Sequence, residues 1–159
     1  MNMAVRKQGG AAVGQLSDQP RLEACIVLYF RMWCDGPDGQ MAIWNDLATG
    51  LGQAHGRATL KTLEQLFAIC TEHRRRPLMR HAIGCSCLGA DEACFANFVA
   101  TAATGDREDA LLIATLLVRA DIAPVITSLA ADVGLALKSM LLRGRAMPQP
   151  QAPVHATLH

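Results

Sequence analysis

The chain is poor in aromatic residues and in net charge, and both scarcities narrow its function. Phenylalanine, tyrosine and tryptophan make up 4% of it, and the formal charge is +1 over 159 residues. No long-range field draws nucleic acid or a membrane surface to such a chain. Uninterrupted apolar runs are also short. None approaches the roughly 18 residues of a membrane-spanning helix, and the longest, Ala110 to Val118, contains Thr115 and ends at Arg119. Arg6 and Lys7 are followed by Gln8-Gly9-Gly10 rather than an apolar stretch, so no secretory signal is expected. The six cysteines then read as thiols in a reducing compartment, and a cytoplasmic location with no membrane partner is the expectation. Also missing are paired C-x2-C knuckles, a Walker lysine and an H-E-x-x-H motif. Gly50, Gly52 and Gly56 miss the dinucleotide spacing by one residue and follow a helical pattern instead of a strand.

What is present is a globular composition, half apolar and less than a fifth charged. Residues 1–17, rich in Gly and Ala without periodicity, are expected as a flexible tail, and residues 146–159 as a second, Pro-rich one. Between them, residues 18–145 carry apolar side chains at three- and four-residue steps. Leu22, Ile26, Tyr29, Phe30 and Trp33 form one stripe behind Asp18 and Pro20, and Gly36 to Gly39 read as a turn. Met41, Ile43, Trp44, Leu47 and Leu51 form a second stripe. Leu60, Leu63, Leu66, Phe67 and Cys70 form a third, which Pro77 stops. After Gly89 a helix opens with Asp91 and Glu92 at its positive end and continues through Phe95, Phe98 and Val99. Asp106 and Asp109 resemble a capping box ahead of Leu111, Leu112, Thr115, Leu117 and Val118. Asp121 then precedes Ile126, Leu129, Val133, Leu137 and Met140. No alternating strand pattern competes, so the expected fold is all-α, a single compact bundle of about six helices. Trp33 and Trp44 fall on apolar stripes and are expected in the core; at an exposed face they would serve as anchors for a partner.

Chemistry concentrates in one stretch. His81, Cys85, Cys87 and Cys94 read H-x3-C-x-C-x6-C, a Cys3His set of the donor types that hold tetrahedral zinc. Cys70 and His73 offer alternative ligands across the proline turn. Against this stands the behaviour of free cysteine as a small buried hydrophobe. A reactive thiol is the other reading, with Cys87 or Cys94 as nucleophile, His81 as base and Arg80 in support.

Arg74, Arg75, Arg76 and Arg80 form a basic patch that could contact phosphates. An arginine cluster at a helix end also complements the helix dipole without any ligand. Residues 57–80 hold six basic and two acidic side chains, and residues 91–121 hold two basic and six acidic ones. Such polarity can be satisfied within one fold, between two copies or by a partner. Three functions are therefore weighed. The first is a helical protein acting by protein–protein interaction or regulation, as a homo-oligomer or with another protein, with or without a structural zinc ion. The second is a DNA-binding regulator using Arg74 to Arg80, and the third a metal or thiol enzyme centred on the Cys/His segment. A non-enzymatic role is the expectation.

Overall fold

A computed structural model describes residues 8–146. It is the expected helical bundle, with six α-helices among the described residues: α1 (Arg21–Asp35), α2 (Pro37–Leu51), α3 (Gln53–Glu72), α4 (Ala90–Ala103), α5 (Arg107–Leu117) and α6 (Ala123–Ala146). The first three follow one another with a single residue at each joint. Gly36 and Gly52 occupy those joints at φ of 111° and 83°, backbone that residues with a Cβ rarely adopt. A four-residue turn at Gly36–Gly39 is thus replaced by one glycine, and Pro37 takes the first helical position, where its missing N–H costs nothing.

The buried faces follow the apolar spacing. Ile26, Tyr29 and Phe30 of α1, Ile43, Leu47 and Leu51 of α2, and Leu63, Leu66 and Phe67 of α3 meet Phe95, Phe98 and Val99 of α4. The rings of Phe30, Phe67 and Phe95 pack with centroids 5.4–6.0 Å apart, and Trp33 stacks on Phe67 at 5.4 Å. Trp33 and Trp44 are both half-buried, and the Arg57 guanidinium lies 6.0 Å from the Trp44 ring centre.

Helix α6 packs against each of the other five helices, with Ile126, Ala130, Val133 and Leu137 inward. It is also, among the described residues, the one helix long and apolar enough to cross a membrane, from Ala123 to Gly144. A search for unbroken apolar runs passes over it because Asp132 and Lys138 interrupt the sequence. In α5 the inward face is Ala110, Ala114 and Leu117. The small alanines let this helix lie close to α4 and α6, which turns Leu112 outward despite its place in the expected stripe.

The N-terminal segment departs furthest from expectation. Ala12–Gln15 form strand β1, antiparallel to β2 (Cys87–Gly89) with Ala12 opposite Gly89 and Gln15 opposite Cys87, and Leu16–Asp18 add a 3-10 turn. Residues 8–17, grouped with a tail on composition, therefore have a defined place against the Cys/His loop. Backbone hydrogen bonds hold them there, which no apolar alternation announces. Residues 1–7 and 147–159, the remainder of the two expected tails, lie outside the described residues.

Candidate functional site

The segment between α3 and α4 is organised by a charge that helix α1 buries. Arg31 is the only charged side chain between Ala24 and Cys34, and it follows Val27 by one turn on the inward face. It is fully buried, and all five of its N–H groups are used. Nε donates to Glu92 Oε1 at 2.7 Å and Nη2 to Glu92 Oε2 at 2.9 Å. Nη1 donates to the carbonyls of Ala82 (3.2 Å) and Cys85 (2.7 Å), and Nη2 to that of Cys87 (2.6 Å). Glu92 is equally saturated, since Oε1 also accepts from His81 N and Oε2 from Gly89 N, both at 2.9 Å. The pair is 0% exposed on both sides. It holds the loop by main-chain atoms at five points, so the loop's path is set by Arg31 and Glu92 and not by its own side chains.

Burial alone would raise the Glu92 pKa. Hydrogen bonds from Arg31 and from the Gly89 and His81 amides, with the charge of Arg31, outweigh it and leave the carboxyl below its ordinary value. The sign of the pH effect follows. A glutamate whose folded pKa is depressed stabilises the protein above its unfolded pKa of about 4.3 and loses that contribution as pH falls through the folded value. Denaturant midpoints measured across acid pH should therefore hold steady down to about pH 5 and drop below about pH 4. Glu92→Gln should remove the part of that slope that this group supplies.

A second ion pair lies one residue away. Asp91, 4% exposed, accepts from Arg76 Nη2 at 2.5 Å and Nη1 at 2.8 Å, and from the Met79 amide at 2.7 Å. Gly9 covers it so closely that a Cβ there would collide with Asp91 Oδ2. The carbonyls of Gly9 and Ala11 accept the first free amides of α4, from Asp91 (2.9 Å) and Ala90 (3.0 Å). The N-terminal segment thus caps the helix that carries both acidic residues.

The candidate zinc ligands do not share one point. His81 and Cys85 meet, Nδ1 to Sγ at 3.8 Å. Cys87 is in β2, and Cys94 lies further along α4, beside Arg76 and Leu116. Cys70 is buried in the core, and His73 ends α3 next to Arg119. Among the described residues no three His, Cys, Asp or Glu side chains gather as a metal would require. Burial pushes the Cys25 and Cys70 thiols up to about 12 and raises those of Cys34 and Cys94.

The basic patch is largely engaged within the fold. Arg75 Nε donates to the Thr115 and Val118 carbonyls at the end of α5, at 2.5 and 3.1 Å. Arg80 Nη2 donates to Cys34 O at the end of α1, at 3.1 Å, and Arg76 is bound to Asp91. Both carbonyl contacts are the helix-end role that needs no ligand. Arg74 alone of the four donates no side-chain hydrogen bond among the described residues, and it stands at the mouth of a small cavity floored by Phe30, Phe67, Cys70 and Phe95. Sequence reading missed Arg31, whose one signal is a lone charge on an apolar stripe. It assigned Asp91 and Glu92 only to the helix dipole.

The two most exposed large apolar side chains among the described residues share one face. Leu112 and Leu116 are 68% and 66% exposed, one turn apart on α5. Leu116 borders a groove of about 490 Å³ among α1, α4 and α5, walled also by Glu23, Ala93, Cys94, Asn97 and Ile113. Leu116 also borders a second hollow of about 430 Å³ that reaches Gly9 and Arg76. No family model, curated protein or solved structure matches the chain.

Proposed function

We propose that this protein acts by protein–protein docking, with the α4–α5 face as the docking surface and a second copy of the chain as its occupant. The observation that carries the reading is the exposed pair Leu112 and Leu116, one turn apart, with Leu116 on the rim of a groove. A ridge next to a groove of matching character is self-complementary under a two-fold axis, the commonest symmetry of soluble assemblies. The Arg31–Glu92 and Arg76–Asp91 pairs keep the face rigid from behind, and zinc plays no part in the proposal. A DNA-binding role draws less support, because Arg75, Arg76 and Arg80 already serve internal partners.

Sedimentation equilibrium across a wide concentration range tests it. The expected result is a mass rising towards two chains, and a single-chain mass for Leu112→Glu/Leu116→Glu with unchanged helical circular dichroism. Burying a leucine contributes roughly 1.5–3 kcal/mol, and each copy supplies two, so the substitutions should weaken association by at least about a thousandfold. A single-chain mass for the wild type at all concentrations would refute self-association. A dimer indifferent to the substitutions would refute this face.

A further inference from the structure

We propose that Cys85 is a nucleophilic thiol served by His81 as its base, and that it reacts with hydroperoxides. The inference does not depend on self-association. It starts from the imidazole. Nε2 of His81 lies 3.0 Å from the carbonyl oxygen of Gly10. A carbonyl only accepts, so in the neutral ring Nε2 carries the hydrogen and Nδ1 presents its lone pair. That lone pair faces Cys85 Sγ at 3.8 Å. Nucleophile, base and a third group orienting the base are the parts from which activated thiols are built.

The arrangement is fixed from behind by the buried ion pair. The His81 amide donates to Glu92 Oε1, and the Cys85 carbonyl accepts from Arg31 Nη1. The Cys85 amide closes a turn onto Ala82 O at 3.0 Å. Both partners of the dyad therefore hang from the same two side chains, and the tautomer is set by the N-terminal segment across the loop. In front the site is open. Ala82, Ile83, Gly84 and Ser86 are all exposed, and Cys85 is half-buried among them. An approach open to solvent suits a small oxidant better than a substrate that must be gripped.

The Cys85 S–H proton passes to His81 Nδ1 while sulfur attacks the hydroxyl oxygen of R–O–O–H. An S–O bond forms and the O–O bond breaks. The electron pair leaves with the RO oxygen, which takes the proton back from Nδ1. Thiol and hydroperoxide become sulfenic acid and alcohol (water, when the oxidant is hydrogen peroxide), the sulfur losing two electrons and the peroxide gaining them.

The test is the rate at which each cysteine of the reduced, full-length protein forms a dimedone-trapped sulfenic acid in hydrogen peroxide. Adducts are assigned by fragment-ion sequencing, because Cys85, Cys87 and Cys94 share a tryptic peptide. The reference is a synthetic peptide of residues 80–90, which has the same side chains without the fixed geometry. Positioned general bases contribute typically 10²–10⁴-fold, so even partial realisation should make Cys85 at least about tenfold faster in the protein than in the peptide. His81→Gln, which keeps a donor for Gly10 O but no base, should return Cys85 to the peptide rate. A Cys85 no faster than the peptide overturns the proposal, and so does a folded His81→Gln variant as fast as wild type. If His81→Gln fails to fold, the comparison of wild type with peptide decides.

Discussion

Replacing Arg31 by methionine is expected to lower the unfolding free energy by about 3–5 kcal/mol, the cost of stranding one member of a buried ion pair. The loop pushes the loss to the upper end. Methionine fills much of the volume but leaves Glu92 charged and buried, and it also strips donors from the carbonyls of Ala82, Cys85 and Cys87. Each buried polar group left without a partner costs roughly 1–3 kcal/mol. A double substitution, Arg31→Met with Glu92→Gln, should recover part of the loss by removing the stranded charge. It should not recover all of it, since the three carbonyls stay unpaired. Urea denaturation of the four proteins in that cycle measures the coupling. Additive losses would mean that the pair does not act as one unit.

The second large effect is expected at Phe95. Its ring is 1% exposed and packs against Phe30, Phe67 and Phe98, so that it ties α4 to α1 and α3 at once. Truncation of a buried phenylalanine to alanine costs about 3–5 kcal/mol, and more where the site cannot collapse. Phe95 already borders a cavity of about 80 Å³. The new void would merge with it instead of closing, and would admit water to walls that are mainly aromatic and aliphatic. Phe95→Ala should therefore unfold at a markedly lower denaturant concentration. Phe95→Leu, which keeps most of the volume, should lie between the two.

The helices were legible because each buries a face against neighbours, and that demand writes itself into the spacing of Ile26, Phe30, Leu63, Phe67, Phe95 and Val133. Gly36 and Gly52 were legible as breaks, though not as joints one residue long. Asp106 was legible as a cap, its Oδ1 accepting from the Asp109 amide at 3.3 Å. The site was much less so. Residues 77–89 take their shape from hydrogen bonds to Arg31, some 50–60 positions away in sequence, and such bonds leave no periodic trace. The Cys/His cluster shows the converse. Thiols close in sequence were separated by a change from loop to strand to helix, which set Cys87 and Cys94 apart from the pair His81 and Cys85. Strand β1 escaped because main-chain atoms hold it, and main-chain atoms are the same for every residue but proline. The outward turn of Leu112 escaped because Ala110 and Ala114, not the larger leucines, mark the close-packed side of α5.

The pairing of Ala12 with Gly89 also has a meaning in time. A nascent chain grows from its N-terminus at about 5–20 residues per second, so β1 leaves the synthesis site several seconds before β2 exists. Helices α1, α2 and α3 are complete in that interval and can pack on one another, but Arg31 has no carboxylate to meet until Glu92 arrives. The last contacts to form during synthesis of this half of the chain are therefore those that cap α4, seat Gly9 over Asp91 and bring Gly10 against His81. Until then this earlier-made segment waits as a closure for a loop still to be translated.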